Sequence, residues 1–370
     1  MQTKQDNEKY STIHYHHYLG LDKILNSQEL RSETIGKKTA HDEMLFIITH
    51  QVYELWFKQI IHDMTSIHQL LNQEIVKEPN IGIAVHRLER IIKILKVAIQ
   101  QIEVLETMSP LDFLDFRDYL FPASGFQSFQ FRQVEAMLGL HNIGRTTYGG
   151  HHYASFFNEE QKQILQQLES QNSMLKVIEY WLERTPFVKY KDFDFLLSYE
   201  KSVEKMIANE QNSISQSIFL SEKEKEIRLK MLGDTSTYFA SVFDKEHHEK
   251  LRKEGVITFS YQATLGALFI SLYRDEPLLR MPYNLLNALM DVDELFTTWR
   301  FRHAQMVMRM IGKKIGTGGS SGHDYLLETT LKHQIFKDLY NISTLMIPRS
   351  ELLPLPENIK ADLDFHFNQK

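Results

Sequence analysis

Apolar residues recur along this chain at spacings of three and four positions, and strand-like alternation extends over no more than a few residues. A spacing of three and four places side chains on one face of an α-helix. The pattern therefore predicts an all-α fold in the form of a multi-helix bundle. We expect helices over residues 15–30, 41–72, 81–108, 110–120, 126–140, 158–184, 190–215, 221–245, 258–273, 284–312 and 323–341.

The pattern favours one domain over residues 1–370, because it contains no internal repeat and no low-complexity linker. Residues from about 158 to 255 are rich in Glu, Lys and Gln, as in NEEQKQILQQLES and SEKEKEIRLK. Helices with so many polar positions usually lie at a protein surface. We therefore predict an exposed helical insertion in this part of the domain.

Composition and charge exclude several kinds of partner and site. The sequence has 42 basic and 48 acidic residues, a formal charge of −6 and no long block of one sign, so we expect neither nucleic acid nor a membrane surface as a partner. It contains no cysteine, which excludes disulfides, iron–sulfur clusters, and zinc or haem bound through thiolates. Any metal must therefore be bound by His, Met, Tyr or carboxylate side chains.

The amino-terminal residues MQTKQDNEKY are polar and lack the apolar segment of a secretory signal. No stretch has the roughly eighteen apolar residues that a membrane span needs. We therefore predict a cytoplasmic location.

The motif HDEMLFIITHQVYELWFKQ, residues 41–59, places a histidine among aromatic rings. Helical spacing brings onto one face Phe46, His50, Tyr53 and Phe57. One interpretation is a core histidine that is hydrogen-bonded to a carbonyl group or to Glu54. The alternative is that His50 is a polar group in an aromatic ligand pocket.

The motif LDFLDFRDYLFPASGFQ, residues 111–127, follows a helix start at Ser109-Pro110, where serine caps the helix and proline suits its first position. Phe113 and Arg117 are four positions apart and share a helix face. Arg117 is either a surface arginine with a packed apolar stem or a guanidinium that binds a carboxylate at the rim of an aromatic pocket. The turn Pro122-Ala123-Ser124-Gly125 adds a hydroxyl and backbone donors, and the second interpretation favours an aromatic amino acid as ligand.

The motif FRHAQMVMRM, residues 301–310, belongs to a helix with one apolar stripe. That stripe contains Phe296, Trp299, His303, Met306, Val307 and Met310, while other faces carry Arg302, Gln305 and Arg309. His303 is therefore expected to face the interior. It is either a core histidine satisfied by hydrogen bonds or an imidazole held on a rigid helix as an axial ligand of haem iron.

The loop GTGGSSG, residues 316–322, matches the G-x-S-x-G of serine hydrolases and begins like a dinucleotide-binding motif. Both motifs need a strand before the turn, whereas a helix is predicted here, so we reject them. The loop is then either a flexible linker or a lid whose backbone N–H groups and Thr317 hydroxyl contact a ligand.

Three long segments, HDEMLFIITHQVYELWFKQ, LETMSPLDFLDFRDYLFPASGFQSFQFR and WRFRHAQMVMRMIGKKIGTGGSSG, resemble the signature segments of the tryptophan 2,3-dioxygenase family. The similarity extends to YHHYLGLDKILNSQEL near the start, YWLERTP at 180–186 and LYNISTLMIPR at 339–349, and so covers essentially the whole chain. The resemblance implies an all-helical, homotetrameric enzyme with haem b as its cofactor. It implies insertion of both atoms of O₂ across the indole C2–C3 bond of L-tryptophan, giving N-formyl-L-kynurenine as the first step of tryptophan catabolism by the kynurenine pathway.

The resemblance also assigns roles by position in the matching motifs. His303 corresponds to the proximal ligand of the haem iron, and His50 to the distal catalytic histidine near the indole nitrogen, where it is first a positioning group. The implied substrate-binding residues are Phe46, His50, Phe113, Arg117 and Thr317, with Tyr15, Tyr18 and Leu19 reaching in from a neighbouring subunit. The implied residues at the haem edge are Ala123, Ser124 and Gly125.

His16 stands where the family often has glycine, within Tyr15-His16-His17-Tyr18. This departure leaves open the backbone path or packing of the amino-terminal segment. The pairs His151-His152 and His247-His248 match no metal motif, and we predict surface or loop positions for them.

Two other functions remain open. A haem-binding sensor or tryptophan-binding protein would keep His303 and the pocket but would form no product. A haem oxygenase acting on a modified indole, for instance by monooxygenation, would give a product of different mass.

Overall fold

The computed structural model describes residues 13–140, 155, 157–314 and 322–363. These residues form α-helices, short 3₁₀ turns and one two-stranded antiparallel sheet, so the predicted all-α fold is confirmed. The elements in chain order are α1 (Tyr15–Leu19), α2 (Leu21–Leu25), α3 (Arg31–Thr34), α4 (Glu43–Leu71), α5 (Glu78–Leu105), α6 (Pro110–Arg117), α7 (Phe129–Leu138), α8 (Glu159–Ser170), α9 (Met174–Glu183), β1 (Lys189–Tyr190), β2 (Phe193–Asp194), α10 (Phe195–Gln216), α11 (Glu222–Phe243), α12 (Lys245–Lys253), α13 (Tyr261–Leu272), α14 (Arg280–Ile311), α15 (Gly322–Lys332), α16 (Lys337–Ile342) and α17 (Glu357–Leu363).

Three long helices carry the core: α4 with 29 residues, α5 with 28 and α14 with 32. Helix α5 packs against both of the others. It does so because apolar residues at spacings of three and four form a stripe that is buried on folding, including Ile81, Val85, Leu88, Ile92, Leu95 and Ile102. Full burial of one such side chain contributes roughly 1.5–3 kcal/mol. Among the described residues, no helix is both long and apolar enough to cross a membrane.

The predicted helix start at Ser109 is confirmed. The backbone N–H of Asp112 donates to Ser109 Oγ at 3.2 Å, and the N–H of Ser109 donates to the Asp112 carboxylate at 3.1 Å. This reciprocal pair satisfies two donors at the start of α6 that the helix itself leaves unpaired. Hydrogen bonds from the Ser109 side chain and backbone lower the pKa of Asp112.

Some predicted helices are interrupted. Residues 15–30 break at Gly20, whose φ of 62° ends α1 in the left-handed region that favours glycine. Residues 158–184 divide after α8, because Gln171 is extended and the Ser173 hydroxyl caps α9 by accepting from the Lys176 N–H. The predicted start of α10 near residue 190 is instead a hairpin in which β1 pairs with β2.

The segment from 158 to 255 comprises α8 to α12. Its turn between α10 and α11 is strongly exposed at Ile218 and Phe219, yet α10 buries Phe195 and Tyr199 in the main core. Helix α10 therefore belongs to the main hydrophobic core. Whether the segment is an insertion in this domain stays a prediction.

The paired histidines differ in their placement. His247 is exposed, as predicted, whereas His248 is buried and its Nε2 lies 3.1 Å from the carbonyl oxygen of Phe259. The surface prediction is therefore wrong for His248, because α12 presents that side to Tyr261 at the start of α13. His151 and His152 lie outside the described residues.

Candidate active site

A cavity of about 270 Å³ lies among α4, α5, α6, α7, α14 and α15. It brings together side chains from the motifs at residues 41–59, 111–127 and 301–310, and its wall is mainly apolar and aromatic. The predicted site residues that line it are Phe46, His50, Phe113, Arg117, Ser124, Gly125 and His303. Proximity in space therefore supports reading these distant motifs as one site.

His50 projects from α4 into this cavity with a defined tautomer. Its Nδ1 lies 2.7 Å from the carbonyl oxygen of Phe46. A carbonyl oxygen only accepts, so Nδ1 carries the proton and Nε2 is left as an acceptor. Burial lowers the pKa of His50, and the bond to Phe46 and the nearby Glu54 only partly oppose this. His50 is therefore neutral near pH 7.

His50 has a carbonyl partner, as the first interpretation requires, and it also lines the cavity, as the second requires, while its contact with a ligand stays a prediction. The Glu54 carboxylate is bonded elsewhere: it accepts from Gln130 Nε2 at 2.8 Å, and the same amide donates to the Glu54 carbonyl at 2.8 Å. Glu54 thus ties α4 to α7 and affects His50 through its charge.

Aromatic rings pack around His50. The ring centroids of Phe46 and His50 are 4.1 Å apart, and those of Phe46 and Phe113 are 5.7 Å apart. Behind them, the fully buried Phe116 contacts both phenylalanines edge-on, at 5.6 Å and 5.4 Å between centroids. Such offset and edge-to-face packing fixes the rings in place, so they form a rigid wall for a flat apolar ligand.

Arg117 is the last residue of α6 and lies one turn after Phe113. It is half-buried and lines the same cavity. A guanidinium beside aromatic rings is suited to a bidentate contact with a carboxylate. Its placement at the cavity supports the carboxylate-clamp interpretation over that of a surface arginine.

His303 projects from α14 into the cavity, with its ring 5.2 Å from that of Trp299 one turn earlier. Its Nδ1 finds no hydrogen-bond partner among the residues that the structure describes. Burial lowers the pKa of His303 to about 4, and the nearby His50 contributes to the shift. The imidazole is therefore neutral near pH 7 and carries a lone pair on one ring nitrogen, and its Nδ1 lacks the partner that a satisfied core histidine would have.

These donors fit haem better than a metal bound by protein groups alone. No cluster of three or more His, Asp or Glu side chains able to hold a metal occurs within the described ranges. Haem iron needs only an axial protein ligand, because the macrocycle supplies its in-plane ligands. A neutral histidine whose side chain lines an apolar cavity meets that need.

The remaining predicted residues differ in their placement. Ala123 is exposed and is not among the residues that line the cavity, unlike its neighbours Ser124 and Gly125. Ser124 Oγ accepts from the Phe126 N–H at 3.4 Å and so shapes the turn at the cavity edge. Thr317 and the rest of the GTGGSSG loop up to Ser321 lie outside the described residues.

The amino-terminal candidates do not reach this cavity. In α1, Tyr15 is 70 % exposed, Tyr18 72 % and Leu19 39 %. Such exposure of large apolar side chains is typical of a surface that contacts another molecule. At the departure from the family pattern, His16 Nε2 lies 2.8 Å from the Asp22 carboxylate, so His16 links α1 to α2.

The cavity wall also contains a buried group of charged residues that was not predicted from the sequence. Arg132, Glu135 and Arg300 line the cavity, and His333 lies behind them. The available signals were the i, i+3 spacing of opposite charges at Arg132 and Glu135, and the position of Arg300 one turn before His303. Also missed were the cavity residues Phe126, Phe131, Leu326 and Thr329.

Comparisons with known proteins agree over nearly the full length. The sequence profile of the tryptophan 2,3-dioxygenase family matches residues 1–346. The chain is 48% identical over 359 residues to a tryptophan 2,3-dioxygenase of Bdellovibrio bacteriovorus, covering 97% of this chain and 100% of that protein. It is 45% identical over 353 residues to that of Alteromonas mediterranea, covering 95% of this chain and 97% of that protein. The enzyme of Dictyostelium discoideum is 45% identical over 354 residues, covering 95% of this chain and 88% of that protein.

Proposed function

Because the chain belongs to the tryptophan 2,3-dioxygenase family, we propose that the cavity between α4 and α14 is its active site. The protein is an oxidoreductase that oxidises tryptophan with O₂ in the first step of the kynurenine pathway. In the proposed reaction both atoms of O₂ are inserted across the indole C2–C3 bond, which is cleaved, and the product is N-formyl-L-kynurenine. The observation that carries the assignment is that His50, Arg117 and His303 line one aromatic cavity.

The cofactor in this proposal is haem b. His303 would bind the iron, and Ser124 and Gly125 would lie at the edge of the macrocycle, since they line the same cavity. When bound, the haem supplies the iron that binds and activates O₂. The protein keeps His303 neutral by burying it, so that protons do not compete for the nitrogen that binds the metal.

Tryptophan would be held by groups that match its parts. The indole ring packs against Phe46 and Phe113, whose rings are fixed by Phe116. Arg117 binds the carboxylate, and burial of the ligand in an apolar cavity removes water from the reacting atoms. The main contribution of these residues is to hold the substrate in a reactive orientation.

His50 would position the indole nitrogen. With Nδ1 donating to Phe46, Nε2 accepts a hydrogen bond from the indole N–H. Because His50 is neutral, it can accept this bond at pH 7. Its role is therefore first to orient the ring, and removal of the indole proton is not required of it.

We also propose a homotetramer in which α1 of one subunit completes the cavity of another. This accounts for the exposure of Tyr15, Tyr18 and Leu19, which do not reach the cavity of their own chain. Contact of Thr317 with the substrate and a cytoplasmic location belong to the same proposal.

The experiment that tests the function is turnover with ¹⁸O₂. L-tryptophan is added to the reduced, haem-loaded protein, and the product is weighed by mass spectrometry. Two labelled atoms in N-formylkynurenine are expected. One labelled atom would indicate a monooxygenase relative, and intact tryptophan with haem bound would indicate a sensor.

A further inference from the structure

A buried ion-pair group forms part of the cavity wall. Arg300 is 3 % exposed and Glu135 2 %. Arg300 Nη2 donates to Glu135 Oε1 at 3.2 Å, and Arg132 Nη1 donates to Glu135 Oε2 at 2.7 Å. Burying ions is costly, and apolar residues of similar volume would stabilise a core at least as well. The presence of this group beside a cavity therefore points to a ligand.

The guanidinium of Arg300 is held in a fixed orientation. Its Cζ lies 5.9 Å from the ring centroids of both Phe131 and Phe296. Its Nη1 donates to the backbone carbonyl of His333 at 3.4 Å. Within the described part of the chain, the bonds to Glu135 and to the His333 carbonyl use two of the five N–H donors of Arg300, so other donors remain on this fixed, planar guanidinium.

Among the described residues, Glu135 is the one carboxylate in ion-pair contact with Arg300, and Glu135 is shared with Arg132. The charge of Arg300 also reaches Asp293, where it opposes the burial that raises the pKa of that carboxyl, but the Asp293 carboxylate is bonded to the backbone N–H groups of Ile335 and Phe336. The adjacent His333 ring adds no negative charge: its Nδ1 lies 3.5 Å from Glu135 Oε1, and burial lowers its pKa so that it is neutral. A second carboxylate at this place would be bound favourably.

The position of Arg300 near His303 indicates which ligand would supply this second carboxylate. Arg300 precedes His303 by one helical turn on α14, so both side chains face the same cavity. Haem is an apolar macrocycle that carries propionate carboxylates along one edge. We propose that Arg300 binds a propionate of the haem held by His303, and that Glu135 is the positioning residue that orients Arg300. This inference rests on the proposed function.

The test compares haem with its dimethyl ester, in which both propionates are neutral. Apoprotein is loaded with each compound, and its release to excess apomyoglobin is followed by absorbance. We expect the unmodified protein to release the diester on the order of 10-fold faster than haem or more, because a hydrogen bond to a charged group is lost. Arg300→Leu should lose the part of this preference that comes from the propionate bound by Arg300, so its release rates for the two compounds should lie much closer together.

Arg302→Leu is the matched control. Arg302 lies on the same helix, bonds to Glu106 at 3.3 Å and does not line the cavity, so its loss should leave the preference for haem unchanged. Glu135→Gln should reduce the preference without abolishing it, since Arg300 remains but is less well oriented. Thermal unfolding of each apoprotein monitors the structural contribution of the ion pairs separately.

Equal release of haem and diester by the unmodified protein would overturn the proposal, and so would a preference for haem that is undiminished in Arg300→Leu. If Arg300→Leu does not fold, Arg300→Lys decides: it keeps the charge but loses the fork, and an undiminished preference would count against Arg300. Failure of the unmodified protein to bind haem at all would instead overturn the proposed function.

Discussion

The two histidines of the cavity arise from the same sequence signal and sit in different chemical environments. His50 on α4 and His303 on α14 both lie on stripes of apolar and aromatic residues. His50 Nδ1 has the carbonyl of Phe46 as its partner, whereas His303 Nδ1 has no partner in the described part of the chain. Burial lowers both pKa values, that of His303 to about 4.

The difference teaches that a histidine on an apolar stripe is assigned its role by its hydrogen bonds. A fixed tautomer suits His50 for accepting a hydrogen bond from an N–H group of the substrate, because it leaves Nε2 as an acceptor on a side chain that lines the cavity. A neutral imidazole that lines the cavity suits His303 for a metal ion. The residue pattern alone left each histidine either a satisfied core residue or a group that contacts a ligand.

The largest expected effect is on haem binding, and it distinguishes the two histidines. We expect His303→Ala to lose stoichiometric haem binding, since it removes the axial ligand, whereas His50→Ala should retain haem. The haem-to-protein ratio of each purified variant is measured by absorbance. An unchanged ratio in His303→Ala would remove His303 from its role.

The next largest effect is expected from Arg117, which lines the cavity and would bind the substrate carboxylate. Arg117→Ala should weaken tryptophan use by about 1.5–3 kcal/mol in kcat/KM, because a charge-assisted hydrogen bond is lost. Tryptamine, which lacks the carboxylate, should be used equally by both forms. Arg302→Ala serves as the control. Equal activity of the unmodified enzyme on tryptophan and tryptamine would argue against the clamp.

A smaller effect is expected from removing the proposed acceptor on His50. His50→Ala should lower kcat/KM for tryptophan by about 0.5–1.5 kcal/mol, the range of one neutral hydrogen bond. The control is a tryptophan analogue in which sulfur replaces the indole N–H, because it cannot donate to His50. If His50→Ala affects this analogue as strongly as tryptophan, the hydrogen bond is not the cause.

The smallest expected effect is on the pH dependence of kcat/KM. Protonation of His50 would place a hydrogen on Nε2 and abolish its role as acceptor, and its pKa lies below the usual 6.5. We therefore expect kcat/KM to be level near pH 7 and to fall only as the pH drops through that lowered pKa. His50→Ala should flatten this acid limb, and a limb that persists in the variant would belong to another group.

Much of the fold follows from local pattern. The long amphipathic helices α4, α5 and α14 were predicted to within a few residues, because a buried stripe at helical spacing is recorded directly in the sequence. The breaks at Gly20 and at Gln171 are not predicted by this pattern. A left-handed glycine or a serine cap favours a break over a continued helix by only about 1 kcal/mol of free energy. Tertiary packing decides such cases.

The sequence by itself determined the helical class, the exclusion of thiolate metal sites and the candidate residues Phe46, His50, Phe113, Arg117 and His303. Only the tertiary structure decided that these residues share one cavity, which nitrogen of His50 is protonated, and that Arg300 and Glu135 form a buried pair in its wall. The reason is physical: spacing along one helix is a local property, whereas burial, tautomer and ion pairing depend on groups that other helices bring into contact.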